Sequence, residues 1–203
     1  MPAFQAILFD FDGVLLDSEP VHCACWAEEL AGLGVTLTWD YYRRHCIGID
    51  DRDMLRVMAA QSDPPRDWRD LWALYPAKKD RFRARMIAQP AFDPALKGLL
   101  PGLHERYRLA VVSSSSCSEI EPLLEAGGLR AHFDTVVGGE QVARHKPAPD
   151  PYLLAARRLD VTHALVLEDS PAGIASGRAA GFEVLAVERP SDVPDLLRQW
   201  LAE

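Results

Sequence analysis

The stretch FDFDGVLLDSEP, Phe9 to Pro20, follows the apolar run Ala6-Ile7-Leu8-Phe9 and sets Asp10 and Asp12 two residues apart where that run ends. An apolar run without alternation reads as a strand covered on both faces, as in a parallel sheet. Carboxylates are rarely buried unless they are paired or bound to a metal. Two of them at the end of a buried strand therefore need a positive partner, which the rest of the chain must supply.

Four more runs of this kind follow: Leu109-Val112, Thr135-Val137, Ala164-Leu167 and Val184-Val187. Helical patterns separate them. Ile120, Leu123 and Leu124 mark one, Leu153, Leu154 and Leu159 another, and a third opens after Pro171, a residue suited to a first helical turn. This alternation predicts an α/β fold with a doubly wound, Rossmann-like parallel sheet. About 100 residues separate the first two strands, too many for one crossover. The gap reads as helical. Val21, Cys25 and Leu30 share a face of one helix, Thr38 caps a second, and Asp50 caps a third carrying Met54, Leu55 and Met58. Trp68, Leu71, Trp72 and Tyr75 keep helical spacing up to Pro76, which kinks or divides that segment. The expected organisation is a core of residues 1–16 and 90–203 with an α-helical cap, 17–89, inserted after the first strand. Asp93-Pro94 and Pro101-Gly102 punctuate the return to the core.

The composition, 48% hydrophobic and 26% charged, is that of an ordinary globular protein. A net charge of −8 argues against a nucleic-acid surface, because such affinity rests on neutralising phosphates. No apolar run approaches the roughly 20 residues needed to cross a bilayer. The start, MPAFQAILFD, lacks the basic segment of a signal peptide, so a cytoplasmic location is expected. Cys23, Cys25, Cys46 and Cys117 form no C-x-x-C pair and read as structural thiols. With His22 and His45 they offer zinc-type donors, but Cys23 and Cys25 point to different faces of a predicted helix. Arg66, Arg69, Lys78, Lys79, Arg81, Arg83 and Arg85 read as a solvated helix face, with guidance of an anionic substrate as the sharper alternative.

Ligands of open α/β sheets bind outside the carboxyl ends of the strands. That rule gathers Asp10, Asp12, Ser113, Lys146, Glu168 and Asp169 around one crevice. Alone, an Asp-x-Asp pair also suits a turn or a helix cap. Two acidic pairs at one sheet edge instead make a set of hard oxygen ligands suited to Mg²⁺, the positive partner required above. Ser113 opens the run Ser113-Ser114-Ser115-Ser116, and hydroxyls with backbone N–H groups at a helix start make an anion site. Lys146 is one of four lysines against eighteen arginines, a compact point charge where a fork would be the commoner choice.

Four motifs stand in order: Asp10-Phe11-Asp12-Gly13-Val14, Ser113 after the second strand, Lys146 in KPAPDPY, and Leu167-Glu168-Asp169-Ser170. On these residues the chain resembles the haloacid dehalogenase superfamily phosphohydrolases, in the branch with a helical cap after the first strand. The likeness covers essentially the whole chain. It implies a Mg²⁺-dependent phosphatase with Asp10 as nucleophile, forming an aspartyl-phosphate, and Asp12 as acid and then base. It implies that Ser113 and Lys146 neutralise the phosphoryl charge. The metal would be held by the Asp10 side chain, the Asp12 backbone carbonyl and Asp169, with Glu168 orienting a metal-bound water or ligating weakly. Gly13 permits the turn after the strand. Asp12 also argues for an oxygen leaving group, since expulsion of a halide needs no proton.

For the substrate, the resemblance implies roles for His22, Gly48, Arg52 and Ser114. Asp17-Ser18-Glu19-Pro20-Val21-His22 is similar to the hinge and first cap helix of sugar-phosphate phosphatases and β-phosphoglucomutases, and Gly48-Ile49-Asp50-Asp51-Arg52 matches the cap's specificity loop. The mutase has Arg at the position of Asp51 and Lys-Asn at Ser116-Cys117, residues that serve a second phosphate. Their absence here favours hydrolysis of a small sugar or polyol phosphate over the mutase reaction. A phosphoreceiver module of the signalling kind also combines strand-end acids, a hydroxyl and a lysine. It lacks an inserted cap and needs no second Asp. The expected partner is a small phosphorylated metabolite, with neither nucleic acid nor membrane; the oligomeric state is not fixed by the sequence.

Overall fold

The computed structural model describes residues 4–47, 49 and 51–201. Two compact units divide it. One joins the chain up to Asp17 with Gln89 onward, and the other is Ser18–Ala88.

The first unit holds a five-stranded parallel sheet of β1 (Ala6–Phe9), β2 (Arg108–Val112), β3 (Thr135–Val137), β4 (Ala164–Glu168) and β5 (Glu183–Ala186). The strand order is β3-β2-β1-β4-β5, so β1 is central and the winding reverses on either side of it. Its four residues are buried on both faces, which is why the run is apolar throughout. On one face Ala6, Leu8, Ala110, Val112 and Val166 pack with Tyr152, Ala155 and Leu159 of a crossover helix. On the other, Phe9 meets Phe133 edge to face at 5.9 Å.

Ten α-helices complete the described chain. Those of the second unit are α1 (Glu19–Ala31), α2 (Trp39–His45), α3 (Asp51–Gln61), α4 (Trp68–Trp72) and α5 (Tyr75–Ala88). Those of the sheet unit are α6 (Pro94–His104), α7 (Cys117–Ala126), α8 (Asp150–Leu159), α9 (Pro171–Ala179) and α10 (Val193–Leu201). The second unit has its own core, in which Trp26, Leu30, Tyr42, Met54, Leu55, Met58 and Leu71 are buried together. Thr38 caps α2 by accepting from the Tyr41 N–H, as its sequence position suggests. The proposed cap of α3, Asp50, lies outside the described residues.

Two expectations need correction and a third is refined. Pro101 does not interrupt the return to the core but sits inside α6. Asp93 accepts from the N–H groups of Ala95 and Leu96, Pro94 fills the first turn, and Leu96, Leu100 and Leu103 bury one stripe, together outweighing the missing donor. The segment around Pro76 is divided as expected, but the break falls before Tyr75, and Pro76 lies in the first turn of α5, where its missing N–H is harmless. Lys78 does not belong to a solvated face. It is 2% exposed, while Arg81 and Arg85 of the same helix pair with Glu29 and Glu28 of α1. No described helix is long and apolar enough to cross a membrane.

Candidate active site

Strand register builds the site. Phe9 lies beside Val111 on one side and Leu167 on the other, so the three inner strands end level. The Asp10 N–H continues the ladder to Leu167 O at 2.9 Å, and the Ser113 N–H reaches Val137 O at 2.9 Å. Asp10, Ser113 and Glu168 thus leave the sheet at one edge. Beyond Asp10 the chain folds back sharply, with Leu15 N–H and Leu16 N–H donating to Phe11 O and Gly13 N–H to Leu16 O. Gly13 has φ +78°, and a Cβ there would collide with the Asp169 carboxylate. Glycine is required on both counts. The turn brings the backbone after Asp12 against the end of β4.

Lys146 ties these ends together. Its ammonium donates to Asp10 Oδ1 at 2.5 Å, Glu168 Oε1 at 2.5 Å and Val112 O at 3.0 Å, which uses all three protons. Its side chain is 6% exposed and Glu168 is fully buried. Burial alone would lower the Lys146 pKa, but Asp10 and Glu168 outweigh it and hold the ammonium more firmly protonated than an ordinary lysine. Burial pushes the Asp10 carboxyl well above its usual range; Lys146 opposes this, and the like charges of Glu168 and Asp12 add to it. Asp169 is pushed up to about 6 by burial and by Glu168. A single ammonium among four carboxyls leaves the cluster short of positive charge.

That shortage is the test of whether a metal fits. One oxygen each from Asp10, Glu168 and Asp169 can lie within 4.8 Å of the others, and all three are hard carboxylate donors. A dication there would offset both the burial and the like-charge repulsion that raise Asp10 and Asp169. The residues fit a metal. Among the described residues the cysteine and histidine set considered for zinc forms no such group: the four cysteines are free, and burial raises the pKa of each thiol.

On the opposite side of Asp10, the Ser113 hydroxyl accepts from the Ser115 N–H at 3.0 Å, which leaves its own proton for an incoming oxygen. The Ser115 hydroxyl donates to Asp12 Oδ2 at 3.3 Å. Asp10, Asp12, Ser113, Lys146, Glu168 and Asp169, far apart in sequence, therefore converge. Ser114 is exposed beside them. His22 and Arg52 belong to the second unit. There His22 Nδ1 accepts from Lys78 at 2.8 Å, so its proton sits on Nε2, and its ring stacks on Phe82 at 3.9 Å between centroids. Burial first, and then Lys78, hold His22 neutral, with its pKa lowered to about 3. The Arg52 guanidinium covers the Trp72 ring at 4.7 Å. Gly48 lies outside the described residues.

Sequence reasoning missed Tyr152, Ser115, Ser170 and Gly173. The Ser170 hydroxyl and N–H both reach Glu168 Oε2, and Tyr152 O–H donates to Oε1. A Cβ on Gly173 would run into the same carboxylate. Tyr152 sits in KPAPDPY, but its position in the helical pattern reads as core, and nothing in the spacing separates the two roles.

A family model described as haloacid dehalogenase-like hydrolase matches residues 7–187. Fructose-1-phosphate phosphatase YqaB of Escherichia coli (strain K12) is 33% identical over 186 residues, which cover 91% of this chain and 96% of that protein. Hexitol phosphatase A of the same organism is 30% identical over 206 residues, covering 95% and 87%. Among solved structures, CbbY of Rhodobacter sphaeroides in complex with xylulose-(1,5)bisphosphate is similar with a TM-score of 0.67 and 32% identity, covering 90% of this chain and 85% of that one.

Proposed function

Because the chain belongs to the haloacid dehalogenase-like hydrolases, we propose that it is a Mg²⁺-dependent phosphatase of a small sugar or polyol monophosphate. The observation that carries this reading is the Lys146 ammonium bridging Asp10 and Glu168 at the sheet edge, with Asp12, Ser113 and Asp169 around it. Bound Mg²⁺, held by the side chains of Asp10 and Asp169 and the backbone carbonyl of Asp12, would supply charge neutralisation for the phosphoryl group.

The chain's own residues divide the reaction between them. A carboxylate oxygen of Asp10 attacks phosphorus, the bond from phosphorus to the ester oxygen breaks, and an aspartyl-phosphate forms. Asp12 gives its proton to the departing alkoxide, producing the free alcohol. In the second half Asp12 takes a proton from water as that water attacks the same phosphorus. Inorganic phosphate leaves and the Asp10 carboxylate is restored. Lys146 and the Ser113 hydroxyl bind phosphoryl oxygens throughout, compensating charge that moves but never disappears.

Two observations bear on the substrate. Two of the relatives are named as phosphatases of fructose 1-phosphate and of hexitol phosphates, and a mutant of CbbY was crystallised with a ketose bisphosphate. At the start of α7 the Ser116 N–H is taken by Glu119 and the Cys117 N–H by Glu140. A second phosphate arriving there would meet carboxylates in place of free donors. This favours a monophosphate. His22, Gly48, Arg52 and Ser114 remain our candidates for contacts to its hydroxyls, with His22 restricted by its bond to Lys78.

The deciding experiment is phosphate release in Mg²⁺ from fructose 1-phosphate, hexitol phosphates, xylulose 1,5-bisphosphate and β-glucose 1-phosphate. Monophosphate turnover that Asp10→Asn abolishes is the expected result. Conversion of β-glucose 1-phosphate to glucose 6-phosphate without release would make the protein a mutase instead.

A further inference from the structure

Tyr152 of α8 is fully buried, and its hydroxyl has no part in the reaction above. It donates to Glu168 Oε1 at 2.8 Å, and its ring lies under the Lys146 ammonium, 5.2 Å from Nζ to centroid. Glu168 therefore takes two donors on each oxygen. Oε1 receives Lys146 and Tyr152; Oε2 receives the Ser170 N–H at 3.2 Å and the Ser170 hydroxyl at 3.1 Å. An ionised carboxylate has about four lone-pair sites, and here each is used. Although an oxygen of Glu168 lies within 4.8 Å of ligand oxygens on Asp10 and Asp169, giving one of its lone pairs to a cation would cost a buried hydrogen bond.

We propose that Tyr152 is a positioning residue: its hydroxyl fixes Glu168 as the anchor of Lys146 and keeps that carboxylate away from the metal. The carboxylate ligands are then Asp10 and Asp169. This rests on the phosphatase reading of the site. A phosphoryl oxygen can reach the Lys146 ammonium only by replacing one of its three present partners. The bond to Asp10 is the one to yield, because Asp10 must turn to the metal and to phosphorus. Val112 O and Glu168 then keep Nζ in place. Without the tyrosine proton, Lys146 becomes the only donor on Oε1. The ammonium is drawn toward Glu168, and a lone pair on that oxygen opens toward the cation.

Tyr152→Phe removes the hydroxyl and keeps the ring beneath Lys146. Binding is read without turnover, by calorimetry with MgCl₂ alone and then with inorganic phosphate in saturating Mg²⁺. The expected result is about a tenfold loss in phosphate affinity and a similar fall in kcat, with Mg²⁺ affinity unchanged or higher. Calcium, which accepts more carboxylate oxygens, should gain affinity in the variant. A loss of Mg²⁺ affinity of about ten- to a hundredfold would overturn the proposal, because it would make Glu168 a ligand that Tyr152 orients. Unchanged phosphate affinity and kcat would overturn it too, leaving the hydroxyl a packing group. Should Tyr152→Phe fail to fold, Glu168→Gln asks the same question. The proposal expects weakened phosphate and less than about a tenfold change in Mg²⁺ affinity, and a hundredfold loss refutes it. If the unaltered protein releases phosphate from no ester, the phosphatase reading fails, whereas these binding results still decide the role of Tyr152.

Discussion

The Asp12 carboxylate accepts from the Ser115 hydroxyl at 3.3 Å and is only partly buried. A group that delivers a proton to a leaving alkoxide matters in proportion to how poor that leaving group is. Asp12→Asn should therefore depress hydrolysis of an alkyl phosphate by about 10²–10⁴-fold, the usual range for a general acid. Nitrophenyl phosphate, whose leaving group departs unprotonated, should lose far less in the same variant. Parallel steady-state measurements on the two esters check this, and equal losses would remove Asp12 as the acid. Gly173 is a second position where one atom decides the outcome. A methyl there would occupy the space of the Glu168 carboxylate, although alanine is the better helix former by about 1 kcal/mol. Gly173→Ala should leave α9 intact by circular dichroism yet lower kcat by at least about tenfold, because Glu168 can no longer anchor Lys146.

At the scale of elements, the strands were legible because a strand covered on both faces admits almost no polar residue, so Ala6–Phe9 and Ala164–Leu167 announce themselves as apolar runs. Their level ends follow from parallel register, which is why Asp10, Ser113 and Glu168 could be brought together from spacing alone. Side-chain saturation was not legible. Tyr152 and Leu159 occupy the same apolar stripe of α8, and only the folded arrangement distinguishes the tyrosine whose hydroxyl meets a carboxylate. Lys78 was misread for the related reason that a basic run looks solvated until its partners are known. It lies on α5 against Asp51 at 3.2 Å and His22 at 2.8 Å, with the Trp26, Tyr75 and Phe82 rings 5.1–5.9 Å away. Removing one partner of an ion pair is strongly destabilising where it strands the other charge away from water. Lys78→Met should fold even so, because Asp51 remains partly exposed and still accepts from the Trp26 indole N–H. The His22 titration, followed by NMR, should rise from about 3 and stay below 6.5, since burial, its larger cause, persists. The sign for stability follows. His22 is neutral when folded, so between about 6.5 and about 3 the unfolded chain binds the extra proton, and stability falls as pH falls through that window. Lys78→Met should flatten this fall, and an identical slope in both proteins would disprove the coupling.

For the whole molecule, the division into two units makes the effect of the metal spatially selective. The acidic cluster lies wholly within the sheet unit, on residues after β1 and at the end of β4, whereas Ser18–Ala88 has a core of its own. A ligand that binds only the native state at a hundred times its Kd stabilises that state by about 2.7 kcal/mol. Stability is distributed by cooperative unit, so the gain appears in the amides whose exchange requires the sheet unit to open. Saturating Mg²⁺ should slow exchange of β1, β2 and β4 amides by about a hundredfold and leave α1 and α3 close to their metal-free rates. Hydrogen exchange read by mass spectrometry, with and without MgCl₂, resolves the two regions in one experiment. Equal slowing in both would mean that the units open together as one cooperative body. No slowing in β1 and β4 would mean that the cluster binds no Mg²⁺, and the carboxyls of Asp10 and Asp169 would then have Lys146 alone to offset the burial and like charges that raise their pKa values.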